Sequence, residues 1–242
     1  MPTNYPTPDP LEYLLKMYPP DFTKIAKRIY GNVYFAIMLH DGNIGVCATL
    51  GNPIEPVEIN SPIALESPSW RILLIAFYNA LLNPHIKPNG FTDIFNHVNF
   101  NSNDNIVMIG FFRPLVAKFD SHGIPVKVFD IQQEDTRLTP YEQLDSELQR
   151  ADNVIITSTT FVNNTFASII SKIRPDAKAY LLGPSSIVHP VIFNYPQVLA
   201  IFGMRFQANR KMVLDIIANN GGTPDFSSFA QKTLLLRHTD HT

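Results

Sequence analysis

Cysteine is nearly absent from this 242-residue sequence: Cys47 is the only one. A single thiol rules out an internal disulfide and any cysteine cluster for zinc or iron–sulfur. It lies in an apolar run and reads as a buried core thiol. Charge is scarce as well. Charged residues make up 17% of the chain, against roughly 25% in soluble domains, and the net charge of −2 comes from interspersed signs. Nucleic-acid binding needs clustered Lys and Arg, which do not occur, so neither DNA nor RNA is an expected partner. No apolar stretch approaches the ~20 residues that span a bilayer. The polar, proline-rich start, residues 1–10, is unlike a secretory signal, so the Asn163-Asn164-Thr165 sequon carries no glycosylation argument. The chain reads as cytoplasmic, with no membrane partner. Also missing are H-E-x-x-H, the P-loop, G-x-S-x-G and the G-x-G-x-x-G fingerprint of standard NAD or FAD sites.

What is present is a normal globular share of apolar residues, 45%, arranged in two textures that meet near residue 100. After a loose arm, Leu11, Leu14, Leu15 and Tyr18 mark a short helix that Pro19-Pro20 ends. Asp21 then caps an expected second helix carrying Phe22, Ile25, Ala26 and Ile29, closed by Gly31. Residues 33–39 and 44–50 flank His40-Asp41-Gly42-Asn43 as a hairpin, with Asp-Gly supplying the positive φ angles of a tight primed turn. At its length the apolar run 69–82 is a buried helix rather than a strand. A short helix over 92–98 and the asparagine-rich stretch 99–105 follow.

Beyond that point the pattern alternates. Strands are expected at 106–109, 126–129, 154–156, 179–182 and 198–202, and helices at 114–121, 140–149, 162–173 and 208–219. Short β-rich runs separated by helices indicate βαβ units, hence a Rossmann-like α/β fold with a parallel sheet covered by helices on both faces. The expected organisation is an arm and short helix over 1–20, a small α+β domain over 21–100, the Rossmann-like domain over 101–230 and a tail over 231–242.

Ligands of such sheets bind beyond the carboxyl ends of the strands, where the strand order reverses, and four loops qualify. Gly110-Phe111-Phe112-Arg113-Pro114 opens a helix whose free N–H groups and Arg113 suit an anion; its plain alternative is a βα turn with a surface arginine. Asp130 follows Gly110 by 20 residues, the spacing of a carboxylate that holds a ribose hydroxyl. With Glu134 and Asp135 nearby a hard-cation site is readable too, and the plain and favoured alternative is a solvated acidic loop. Thr157-Ser158-Thr159-Thr160, with Asn163, Asn164 and Thr165, bunches more hydroxyls and amides than helix capping needs. Gly183-Pro184-Ser185-Ser186 precedes His189, which reads as an acid, a base, a ligand or a solvated loop residue. The other histidines show no metal-ligand spacing beyond His238 and His241 in the tail.

These loops carry a resemblance. The stretch from Val107 through Gly110-Phe111-Phe112-Arg113-Pro114 to Val116, then Ala151-Asp152-Asn153 through Thr157-Ser158-Thr159-Thr160 to Thr165, then Leu182-Gly183-Pro184-Ser185-Ser186 and finally Gly221-Gly222-Thr223 together resemble a prokaryotic family of unknown function labelled "putative heavy-metal chelation". Residues 21–82 look like that family's N-terminal companion, whose fold is similar to the N-terminal domain of enolase, with Tyr78-Asn79-Ala80-Leu81-Leu82 matching its helix end. The resemblance implies a site in the cleft between the two parts, with Asn79 facing the loops. This chain departs from the family pattern at Ser158, where Gly is usual, at Asn164, also usually Gly, and at Asp130, where Glu is expected.

Three functions follow, in order. The first is binding of a heavy metal, a metal chelate or another small molecule in that cleft, with a divalent transition metal as the candidate cofactor. Its metal ligands would be Asp130 and His189. Its other contacts would be Asn79, Gly110, Phe112, Arg113, Thr157, Thr159, Thr160, Asn163, Thr165, Gly183, Pro184, Ser185 and Ser186. The second is an enzyme acting on a nucleotide or an anionic metabolite. There Arg113 would hold the anion, Asp130 a hydroxyl, and His189 or Asp130 a proton. The third is an assembly module. A homodimer is the base-rate oligomer.

Overall fold

A computed structural model describes residues 7–132 and 134–238. Asp9 caps the first helix, α1 (Pro10–Met17), accepting the Leu11 amide at 2.9 Å, and Pro10 fills its first turn. Three antiparallel strands follow: β1 (Ile25–Tyr30), β2 (Tyr34–Leu39) and β3 (Ile44–Ala48). The helix expected over 21–31 is therefore a single 3₁₀ turn, Phe22–Lys24, leading into β1. Its apolar spacing imitates a helix because the pairing with β2 slips between Ile25 and Lys27, and this irregularity breaks the two-residue period of a strand. The β2–β3 hairpin is as expected, but its loop is four residues long, and only Gly42, at φ +88°, is left-handed.

Ser67 caps α2 (Pro68–Leu82), which is buried along almost its whole length. A helix apolar on all sides needs cover on all sides. Phe35, Ile37 and Cys47 share one core with it, together with Val107, Ile109, Leu181 and Ile201 of the large sheet. Alternate residues Tyr34, Ala36, Ile44 and Val46 face the other way, against a later helix pair.

The short α3 (Ile94–His97) is followed by β4 (Ile106–Ile109), α4 (Arg113–Ser121), β5 (Lys127–Phe129), α5 (Leu144–Leu148), β6 (Asn153–Thr157), α6 (Phe166–Lys172), β7 (Lys178–Leu182) and β8 (Val198–Phe206). Then come α7 (Lys211–Ala218), α8 (Thr223–Phe226) and β9 (Ala230–Leu236). The strands order as β5-β4-β6-β7-β8-β9, parallel except for β9. Along β4 the faces alternate. Ile106 and Met108 pack with Phe100, Phe119 and Tyr180, whereas Val107 and Ile109 join the core of α2.

Residues 231–236, read as tail, are an edge strand in register with β8 from Ala200 to Phe206, and Thr233, Leu234 and Leu235 are buried. The segment before residue 100 also belongs to this sheet, because Gly90 bridges to Leu234 while Ile94 and Phe100 pack on its face. His241 lies outside the described residues. No helix among those described is long and apolar enough to cross a membrane.

Gly45 sets how closely α2 approaches β3. A Cβ there would lie 2.0 Å from the Ala76 carbonyl oxygen and 2.3 Å from the Ala80 amide nitrogen. Gly45→Ala is expected to destabilise the fold by at least about 2 kcal/mol, the cost of overpacking against backbone. Urea unfolding followed by circular dichroism checks this, and a loss below about 0.5 kcal/mol would refute the close contact.

Candidate functional site

The chain runs from β4 outward to β5 and returns to β6 on the other side, so the loops after β4 and β6 diverge. Such a reversal opens a crevice at the carboxyl ends, and here it holds a cavity of about 330 Å³. It is lined by Ile109 and Gly110 at the end of β4 and by Thr157, Thr159 and Thr160 at the end of β6. Asn163, Thr165 and Ile169 form one wall, and Asp130, Ile131 and Gln132 another. Phe111, Phe112 and Tyr141 also line it, as do Tyr34 of β2 and Leu50 beyond β3. The site is thus shared between the two layers.

Gly110 sits at φ +97°, and a Cβ on it would come within 2.8 Å of the Thr157 Cβ. The two loops therefore touch through a position that only glycine serves well. The Asp130 carboxylate accepts the Phe111 amide and the Gln132 amide, each at 2.8 Å, tying the loops after β4 and β5 together. Gln132 in turn donates through Nε2 to the Leu50 carbonyl at 2.7 Å. Ser158 to Phe161 form a 3₁₀ turn, where Thr157 and Thr159 share a hydroxyl contact of 2.9 Å and Thr160 donates to the Thr157 carbonyl. Asn164 is left-handed, at φ +56°, which accounts for an Asn where glycine is the alternative, since Asn tolerates this conformation best among ordinary residues. Thr165 donates to the Asn163 side-chain oxygen at 2.7 Å.

Of the residues expected at the site, the structure brings together Gly110, Phe112, Asp130, Thr157, Thr159, Thr160, Asn163 and Thr165. It leaves the others elsewhere. Arg113 extends outward, pairs with Asp135 at 3.0 Å and lies over the Phe111 ring. The Arg137 amide, helped by the Arg137 and Arg113 guanidinium groups, holds the Asp135 carboxyl below its usual range. Asn79 is buried and donates to the Val46 carbonyl at 2.9 Å, so it braces α2 against β3 and does not line the cavity.

The loop Gly183-Pro184-Ser185-Ser186 also has a docking role. Ser185 accepts the Ala48 amide, and Ser186 bonds the Ser158 hydroxyl and the Phe202 carbonyl. His189 accepts the Val191 amide at Nδ1 and meets the Tyr18 hydroxyl at Nε2, 3.1 Å away, outside the cavity.

Tyr34, Leu50, Phe111, Ile131, Gln132, Tyr141 and Ile169 were not anticipated. Ile131 and Tyr141 are exposed, and from sequence the one signal that marks them is a large apolar residue set in a polar stretch. Tyr34 donates or accepts a 2.7 Å bond with the Thr223 hydroxyl, and burial pushes its phenol up to about 12. The Gly221-Gly222-Thr223 stretch is thereby tied to the cavity wall.

The donors present do not form a heavy-metal centre. Soft and borderline metals take thiolate and imidazole ligands in sets of three or four. Among the described residues no group of three or more His, Cys, Asp or Glu converges. Cys47 is buried, and burial pushes its thiol well above the usual range, so it stays protonated.

The profile of one protein family, described as "Putative heavy-metal chelation", matches residues 93–236. The chain belongs to that family, DUF364. Two solved structures of DUF364 proteins of unknown function share the fold. One, from Pyrococcus horikoshii, superposes with a TM-score of 0.73 at 18% identity, covering 88% of this chain and 93% of its own. The other, from Desulfitobacterium hafniense, gives 0.71 at 17% identity, covering 93% and 99%. No curated protein matches the chain.

Burial holds the His189 imidazole below its ordinary value of about 6.5. The unfolded chain therefore takes up this proton first as pH falls, so the stability contribution is complete above the unfolded pKa and declines below it. The urea midpoint should fall between pH 7 and 5. His189→Asn, which can still accept the Val191 amide, should show a shallower fall. Equal slopes in the two proteins would refute the assignment.

Proposed function

We propose that the cavity binds a small uncharged or cationic organic molecule, including a metal ion that arrives already chelated. The lining carries this reading. It offers the hydroxyls and amides of Thr157, Thr159, Thr160, Asn163, Thr165 and Gln132 with the Asp130 carboxylate, and no Lys, Arg or His is among the lining residues. A buried anion without a cationic partner is strongly disfavoured, whereas hydroxyls and amides suit neutral polar groups. Phe112 and Tyr141 add aromatic rings to the lining, which favour a planar or cationic ligand, while the Phe111 ring is already met by the Arg113 and Arg137 guanidinium groups. A chelator supplying its own donors would let a protein with no metal-ligand cluster among its described residues bind a heavy metal, and this would give the family description a physical form.

The second reading, an enzyme acting on a nucleotide or anionic metabolite in the same cleft, draws on the place of Asp130 at the end of β5. It requires Arg113 to leave Asp135 and turn inward.

Thermal-shift and calorimetric titrations with free Zn²⁺, Ni²⁺ and Cu²⁺, with their bipyridine complexes and with phosphate esters separate the two. Stabilisation by the complexes but not by the free ions is expected. Thr159→Val and Asn163→Ala should each weaken binding about five- to tenfold, the value of one or two neutral hydrogen bonds. Stabilisation by phosphate esters alone, lost in Arg113→Ala, would overturn the proposal in favour of the second reading.

A further inference from the structure

A second concavity, of about 450 Å³, lies where β8 ends and β9 begins, beside the β2–β3 hairpin loop. Its chemistry is opposite to that of the first. Arg205 and Arg210 both line it, with Gln207, Gln231, Ser228 and the Phe229 ring, and no Asp or Glu is in the lining. Neither guanidinium has a carboxylate partner among the described residues, whereas the arginines at 71, 113, 137, 150 and 174 do, and those at 28 and 237 bond to backbone carbonyls instead.

Arg205 donates from Nε to the Gln231 side-chain oxygen at 2.8 Å, and Arg210 from Nη2 to that of Gln207 at 2.7 Å. Arg205 also reaches the Ile86 carbonyl from Nη1 at 3.5 Å and lies over the Phe91 ring, so each guanidinium is held at one edge or more, with Nη2 of Arg205 and Nε and Nη1 of Arg210 left without a protein acceptor among the described residues. The Arg210 Nε is buried and has no hydrogen-bond partner, an arrangement native proteins avoid unless something else supplies the acceptor. Arg210 also stands at the start of α7, which has no side-chain cap, so the positive end of that helix adds to the same field. Phe229 lies 5.9 Å from the Arg210 guanidinium carbon and walls one side with an apolar face. The volume falls within the usual size of small-molecule sites, about 300–1,000 Å³.

We propose that this concavity is a binding site for a small organic molecule bearing a phosphate or carboxylate group, held by Arg205 and Arg210. Two guanidinium groups with oriented, open N–H donors match the paired oxygens of such anions, which accept two parallel bonds from one arginine. The inference does not rest on the reading of the first cavity, because the two lie at different strand ends and share no lining residue.

The test is a titration of the ¹⁵N-labelled full chain with inorganic phosphate, phenyl phosphate and citrate, against sodium chloride at matched ionic strength. Saturable shifts of the side-chain amide signals of Gln207 and Gln231 are expected with at least one oxyanion. Affinity should fall at least about tenfold in Arg210→Gln and in Arg205→Gln, as loss of a charge-assisted pair implies. Thr159→Val in the other cavity should leave it unchanged. Preference for phenyl phosphate or for citrate identifies the class. Wild-type shifts that chloride reproduces, or binding that survives in the folded double variant, would overturn the proposal.

Discussion

A single buried guanidinium holds the layers of this molecule together. Arg71, in the first turn of α2 and 2% exposed, donates to the Asp9 carboxylate that caps α1, to the Leu65 carbonyl and to the Phe161 carbonyl. Each acceptor belongs to a different part of the chain. Removing one partner of such a pair leaves a buried charge uncompensated, at a cost of about 3–5 kcal/mol. Phe161 closes the 3₁₀ turn that carries Thr159 and Thr160, so the same side chain that pins the N-terminal segment also fixes the turn lining the cavity. Two tyrosine hydroxyls reinforce the arrangement, Tyr195 to the Pro8 carbonyl and Tyr78 to the Tyr18 carbonyl.

At the other end of α2 the same task falls to Asn83. Its amide donates to the Ser186 and Met204 carbonyls, and its oxygen accepts the Val188 amide. Between Arg71 and Asn83 the helix lies across the strand-end loops after β6 and β7. This division of labour explains why only some of those loops are open to a ligand. The loop after β7 is occupied by docking contacts, while Gly110, Thr157, Thr159 and Thr160 at the ends of β4 and β6 line the cavity.

Much of this organisation was legible in the chain. The parallel strands stand out because each is a short run buried on both faces, and the β4 strand falls on the residues expected. The site loops were legible too, because Gly110, Asp130 and the Thr157–Thr160 cluster sit at strand ends by topology alone. What escaped was set by distant partners. A slipped register disguised β1 as a helix, and β9 looks like a tail until β8 is there to pair with it. Arg113, His189 and Ser186 carry suitable chemistry, yet their partners Asp135, Tyr18 and Ser158 arrive from 22, 171 and 28 residues away. Side-chain direction of that kind is decided by packing, which no local pattern encodes.

The strap that joins the middle of the chain to its last strand has a kinetic side. Asn89 accepts the Leu236 amide across 147 residues, and Gly90 bridges to Leu234. Closing so long a loop is entropically unfavourable until the rest of the sheet exists to support it. β9 thus gains from two neighbours of different reach, β8 close in sequence and residues 89–90 far from it.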